Sequence, residues 1–357
     1  MTLLRTVCIP VIFLPVLAAQ TAPSPATPVA PTTQPALSPA AAAASGARPA
    51  RAPKPGVKTP GVQIPMAELK FEAIFDVPGA PDWIAIGDEV WISNKPKNQV
   101  ARLDAKKNKV AEMVTVGQKP CSGLAIGFGS VWAPNCGDQS VSRIDVKTGK
   151  VTATFPMGIG ESEGYIATGA GSVWLMTDTK GTLARIDPAT NQVVAEIILP
   201  AGSYCPVFGE NAVWVTSTEG NSVSRVDPNT NLVVETIPVG KAPRFLAVGE
   251  GAVWTLNQTD GSVTRIDPKT NKVVKTIEVG VPGGGGDIAA GEGGVWVTTF
   301  GFPLSRIDPV SNKVTHQFVG KGGDAVRTGL GSVWLCDLAG GHVWRIDPKR
   351  VEATVAP

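Results

Sequence analysis

A Val-Trp pair recurs at seven evenly spaced positions, its indole falling at Trp91, Trp132, Trp174, Trp214, Trp254, Trp296 and Trp334, at intervals of 38 to 42 residues. Ten or eleven residues after each tryptophan stands Arg-aliphatic-Asp, beginning at Arg102, Arg143, Arg185, Arg225, Arg265, Arg306 and Arg345. A unit this short has too little of its own to bury the tryptophan against. Its apolar face must be covered by the next copy, so the chain has to be a stack or ring of repeats.

The unit "APRFLAVGEGAVWTLNQTDGSVTRIDPKTNKVVKTIEVG" (242–280) resolves the kind of repeat. Its turn signals separate four alternating apolar runs, RFLAVG, AVWTLN, SVTRID and KVVKTIEV, each reading as a short strand. Four antiparallel strands per forty residues form one blade of a β-propeller. Asp-Pro opens the turn after the third strand, and Asn or Gly further along accepts a left-handed backbone. With 40 Gly, 31 Pro and 43% hydrophobic residues, the composition also favours an all-β fold with a substantial core. The seven Arg and Asp pairs are expected to be structural, pairing within or between blades, since seven equivalent copies cannot all be an active site.

"FEAIFDVPGAPDWIAIGDEVW" (71–91) aligns with "VVETIPVGKAPRFLAVGEGAVW", so the chain enters the fold on an outermost strand. The seventh unit lacks a clear fourth strand. Residues 71–76 are expected to supply it and close a seven-bladed ring, with "RVEATV" (350–355) competing for that place. The stretch "VWVTSTEGNSVSRVDPNTNLVVETIPVGKAP" resembles the YVTN-type repeat family of secreted propellers, a likeness covering residues 70–350. More distantly the chain is similar to the virginiamycin B lyase group, also seven-bladed. These resemblances imply the fold; propellers host unrelated activities, so they imply little about chemistry.

The first residues, "MTLLRTVCIPVIFLPVLAAQ", place an apolar stretch behind one arginine. They read as a signal peptide over 1–19, cleaved after Ala18 or Ala19, with an uncleaved anchor as the alternative. Cys8 lies inside the apolar stretch and does not make a lipoprotein site. Residues 20–66, built of Ala, Pro and Thr, read as a disordered, extended tether, and 67–357 as the propeller. Export predicts a periplasmic or extracellular protein, monomeric, with no transmembrane domain after cleavage. Five of the 32 basic residues precede Glu68 and none of the 30 acidic ones does, so the folded part is slightly acidic. That excludes nucleic acid as a natural partner. In an oxidising compartment Cys121 and Cys136, facing each other if "GFGS" (127–130) closes a hairpin, are expected to form a disulfide, worth up to roughly 3 kcal/mol by the chain-entropy model. Cys205 and Cys336 are expected to be free.

Departures from the repeat locate candidate chemistry. At the mouth of the central channel the first strand of successive blades presents Asp82, Ser122, Gly164, Tyr204, Arg244, Gly286 and Asp324, followed by Trp83, Gly123, Tyr165, Cys205, Phe245, Asp287 and Ala325. One layer further in come Ala85, Ala125, Ala167, Val207, Ala247, Ala289 and then Arg327, a single positive charge that either projects from the wall or pairs with Asp324. The third residue past each tryptophan is Asn94, Asn135, Thr177, Ser217, Asn257, Thr299 or Asp337, a polar ring suited to a ligand or to water. Phe300 and Phe302 replace the usual polar loop. The glycine run "GGGGD" (283–287) has no Gly-Lys-Ser/Thr and no following helix, so it is a loop between blades that presents Asp287, with no phosphate chemistry.

These residues suggest a binding scaffold that takes a small molecule or an envelope protein. Arg244 and Arg327 suit an anion, Asp287 and Asp324 suit hydroxyls or a cation, and Trp83, Tyr204 and Phe300 suit stacking. Asp82, Asp287, Asp324 and Asp337 form an oxygen set that calcium could use, without a fixed ligand spacing; no other cofactor is expected. The alternative is a metal-assisted enzyme of lyase or lactonase type. The lyase resemblance implies a histidine with acidic, metal-binding partners on the channel face. Of the two histidines, His316 is expected on the surface of an outer strand, and His342, entering the third strand of the last blade, is the one outside chance.

Overall fold

The computed structural model describes residues 56–160 and 163–354. The signal peptide and most of the tether expected from the sequence lie outside these residues. Seven blades of four antiparallel strands follow one another, each hydrogen-bonded in sequence order from channel to rim. Their innermost strands are Pro81–Ile86, Ala125–Gly127, Ile166–Gly169, Ser203–Gly209, Pro243–Gly249, Ile288–Gly291 and Val326–Gly329. Each touches the next, and the seventh meets the first, so the ring is closed.

The seven repeat tryptophans are almost completely buried. In blades two to seven the indole N–H donates to the carbonyl of the glycine that ends the blade's own first strand, at 2.9–3.2 Å. That satisfies the one polar atom a buried tryptophan carries. Over each indole ring lies the arginine of the same blade, with guanidinium-to-centroid distances of 4.7–5.9 Å. These arginines do not pair with the aspartates beside them. Arg143, Arg185 and Arg265 reach the following blade instead, donating to a proline carbonyl and an asparagine Oδ1 in its Asp-Pro turn. The aspartates cap their own turns, as when Asp267 accepts from the Lys269 amide at 2.8 Å.

The asparagine therefore has two tasks. Asn191, Asn231, Asn271 and Asn312 hold left-handed backbone at φ 55–59° and offer Oδ1 to the preceding blade. Blade two has Gly149 at this place, which takes the backbone angle (φ 69°) but carries no acceptor. Arg102 of blade one accordingly turns to Glu89 and, at 3.9 Å, to Glu112.

The ring closes as the alignment predicts. Ala73–Asp76 pairs antiparallel with the third strand of blade seven, Ala73 opposite Arg345 and Asp76 opposite His342. The competing C-terminal segment forms a short helix, Pro348–Glu352, capped by the Asp347 side chain. The expected boundary at residue 66/67 falls inside the packed unit. Gln63–Pro65 adds a fifth, parallel strand to the rim of blade six, with Ile64 and Met66 buried. This corrects a second expectation: His316 sits in the strand so covered and is 2% exposed. Burial and the nearby Arg306 push its imidazole below the ordinary range.

Cys121 and Cys136 form a disulfide with Cα atoms 5.2 Å apart. Ala125 pairs with Trp132 but Pro120 bridges to Asn135, so the ladder slips on the way to the cysteines and they meet diagonally. Cys205 and Cys336 are free and buried. Among the described residues no helix is long and apolar enough to cross a membrane.

Candidate functional site at the channel mouth

The first strands bend where they reach the mouth. The Pro81–Ile86 and Ser203–Gly209 ladders each slip by a bulge near their start, which frees backbone amides. A hydroxyl two residues past the tryptophan collects such an amide: Trp83 N–H donates to Ser93 Oγ at 2.9 Å and Cys205 N–H to Thr216 Oγ1 at 3.2 Å. Thr216 passes its own proton to the Arg244 carbonyl of the next blade at 2.8 Å, and Thr298 does the same for Asp324. The backbone at the mouth is thus fixed blade to blade before any side chain is placed.

Trp83 closes the channel. It starts on blade one, yet a Cβ on Gly164 of blade three would lie 2.6 Å from its ring. Its ring centroid is 5.8 Å from that of Phe245 on blade five, and the Arg327 guanidinium of blade seven lies 4.2 Å above the ring. The indole is 6% exposed. It forms the floor of the mouth, where the sequence suggested a stacking surface at its lip.

Three polar groups stand around this floor. Asp287 is buried and pairs with Arg327 across the blade six to seven junction, also accepting from the Val326 amide at 3.1 Å. Arg327 therefore neither projects alone nor pairs with Asp324. Burial pushes the Asp287 carboxyl up against the pull of Arg327, and its Oδ1 has no hydrogen-bond partner. In the second group Arg244 lies 4.6 Å over the Tyr204 ring, is bonded to the Tyr204 hydroxyl, and meets Glu163 at 3.3 Å. Tyr165 packs edge-on against Tyr204 at 4.9 Å.

The third group is a carboxyl pair across the seam between the last blade and the first. Asp82, nearly buried, accepts from the Ser122 hydroxyl and neighbours Asp324. Burial raises Asp82 to about 6, with Glu163 adding to the shift. Burial first, then the charge of Asp82, raises Asp324 to about 8. Two carboxyls in one desolvated place cannot both ionise cheaply, so near neutral pH the pair retains a proton.

Other candidates fall outside the group. Asn257 is fully buried and donates to Ser262 and Thr264, holding its own blade's loop. Asp337 accepts from the Gly340 amide at 3.1 Å in its own turn. Phe300 is exposed and lies over the glycine run, where a Cβ on Gly285 would come 2.1 Å from its ring. Gly286 has φ 87°, and a Cβ there would meet the Thr298 carbonyl at 1.8 Å, so the run is bare because neighbours occupy the space. His342 contacts Asp76 at 2.9 Å on the seam strands of blade seven. Among the described residues no three His, Cys, Asp or Glu side chains group as a metal would require. Ser122, Glu163 and Tyr165, which the sequence reading did not count as site residues, belong to the mouth; their only signal was adjacency to the variable positions. The letters G-x-S-x-G occur at 160–164. They lie in a loop leading to a strand, whereas a nucleophile elbow needs a strand-to-helix turn, and Ser162 is outside the described residues.

No family model matches this chain, and no curated protein matches it. Its likeness to known proteins is one of fold. A streptogramin B lyase structure superposes with TM-score 0.66 at 21% identity, covering 76% of this chain and 95% of the other. Virginiamycin B lyase from Staphylococcus aureus gives 0.66 at 19%, covering 77% and 99%. The Cps50 (Swd1) β-propeller domain of Myceliophteria thermophila gives 0.62 at 11%, covering 77% and 98%. Lyases and a protein described only as a propeller domain share these seven blades, as expected of a fold that hosts many functions.

Proposed function

We propose that this chain is an exported binding propeller whose channel mouth takes a small ligand bearing an ammonium group, several hydroxyls or a calcium ion. The observation that carries the reading is the Asp82–Asp324 pair with the Ser122 hydroxyl. Equivalent positions in other blades are Ser, Gly, Tyr or Arg, so the fold does not require two buried carboxyls there. Both arginines of the mouth are already neutralised by Asp287 and Glu163, which leaves acceptors as the uncommitted groups. A donor-rich ligand would relieve the desolvation of the pair.

Titration calorimetry of the full chain at pH 7.5 with calcium, spermidine and glucosamine tests this. At least one probe is expected to bind, and Asp82→Asn with Asp324→Asn to weaken it more than tenfold. Binding unchanged in the double variant removes the proposal.

The alternative is a metal-assisted lyase- or lactonase-like enzyme, supported by the likeness over nearly the whole length of two lyases. Against it, His316 lies in an outer strand and His342 is held by Asp76. Activity on a cyclic depsipeptide or a lactone, measured with and without chelator, decides between the two. Exposed Val194, Ile198, Leu232 and Val274 on outer strands favour a rim contact with an envelope protein as a further use of the scaffold.

A further inference from the structure

Below Trp83 the channel continues as a cavity of about 440 Å³ toward the opposite face of the ring. Its wall is apolar, contributed by Ile86, Ile126, Ala167, Val207, Phe208 and Val248 from five blades. Arg327 lines it as well, beside the Trp83 ring that forms its inner end. Six blades carry Ala or Val in this layer, so the ring closes without an arginine and the charge at this depth is an addition to the repeat. The hydrogen bonds of Arg327 both leave from Nη1, to Asp287 and to its neighbour's carbonyl. Nε and Nη2, the parallel donors that match the two oxygens of a carboxylate, have no protein acceptor.

We infer that this lower cavity is a second binding site, separate from the mouth, for a small organic monocarboxylate with an apolar body. The carboxylate would bond the Nε and Nη2 edge of Arg327, and the alkyl or aryl body would lie against the aliphatic wall. The volume falls within the range of small-molecule sites, and one directional polar group in an apolar surround is their usual composition. Asp287 keeps the guanidinium fixed through Nη1, so the binding edge is pre-oriented.

Octanoate is the probe, and 1-octanol its uncharged counterpart, in titration calorimetry with the full chain. Octanoate is expected to bind one to one, at least tenfold more tightly than octanol. Val207→Phe, which fills the cavity without touching Arg327 or Asp287, is expected to weaken octanoate at least tenfold while the thermal midpoint holds. Arg327→Lys keeps a charge beside Asp287 but loses the forked edge, and should weaken octanoate severalfold while leaving octanol unaffected. The Asp82→Asn, Asp324→Asn variant of the mouth should bind octanoate like the parent, which separates this site from the one proposed above. No heat of binding at millimolar octanoate, equal binding of octanol, or full binding to Val207→Phe overturns the inference.

Discussion

Asp82 and Asp324 make a prediction about pH whose sign follows from the direction of their shifts. A carboxyl raised in the folded state binds its proton more tightly there than in the unfolded chain, so stability falls as pH rises between the ordinary value, 3.8, and the folded values of about 6 and about 8. Buried Asp287 acts in the same sense. The turn aspartates Asp104, Asp145, Asp227, Asp267 and Asp308 act oppositely. Hydrogen bonds from the turn lower them, and that stabilisation is present above 3.8 and lost in stronger acid. The protein should therefore be most stable in mildly acid solution and lose thermal stability toward pH 9. Asp324→Asn should flatten the alkaline limb, because it removes the group with the largest printed rise and relieves its neighbour. Melting curves from pH 3 to 9, followed by circular dichroism, check this; an alkaline limb equally steep in the variant sinks the assignment.

Between blades, the arginine that follows each tryptophan acts as a tie. Arg185 covers Trp174, accepts orientation from Ser172 at 2.8 Å, and donates to the Pro228 carbonyl at 2.7 Å and to Asn231 at 2.9 Å. Lysine at this place would keep the charge and lose the planar fork. Asn231→Gly would keep the left-handed turn, as Gly149 does naturally, and lose only the acceptor. Each change is expected to cost about 1 kcal/mol, roughly the net worth of one such hydrogen bond. The double variant should cost less than their sum, since both remove the same contact. Urea midpoints of the four proteins measure it, and strict additivity would falsify the tie. The repeat made the blades, the tryptophan core and the mouth positions legible, because each is set by local periodicity. Partners lying one blade away were not legible: Arg185 with Asn231, or Arg327 with Asp287, meet only once the ring has been built. His316 was misplaced for the same reason, since the strand that covers it comes from residues 63–65, in a stretch whose prolines read as tether.

At the scale of the whole ring, closure depends on the segment before blade one. Ala73–Asp76 completes blade seven, burying Phe75 at 5.6 Å from Trp334 and covering Val77 completely. Glu72 meets Arg345 at 3.2 Å, and Arg345 in turn donates to the Ala105 carbonyl and to Asn108 of blade one. The same residues thus tie the last blade to the chain's beginning and to the first blade. Ile64, Met66 and Leu69 are buried against blades six and seven. Three truncations grade these contributions. A chain starting at Gly56 keeps every contact described and should melt with the full protein. One starting at Ala67, the boundary that composition suggests, loses Ile64 and Met66. At about 1.5–3 kcal/mol for each buried side chain it should melt several degrees lower, and His316 should become accessible to diethyl pyrocarbonate. A chain starting at Gly79 loses the closing strand as well. Its removal exposes Trp334 and leaves the third strand of blade seven without its outer partner, a loss comparable to the whole stability of an ordinary domain. That protein should fail to melt cooperatively and should bind a hydrophobic dye before heating. If it instead melts with the chain starting at Gly56, closure lies in the contacts between the inner strands, and the N-terminal strand merely decorates the rim.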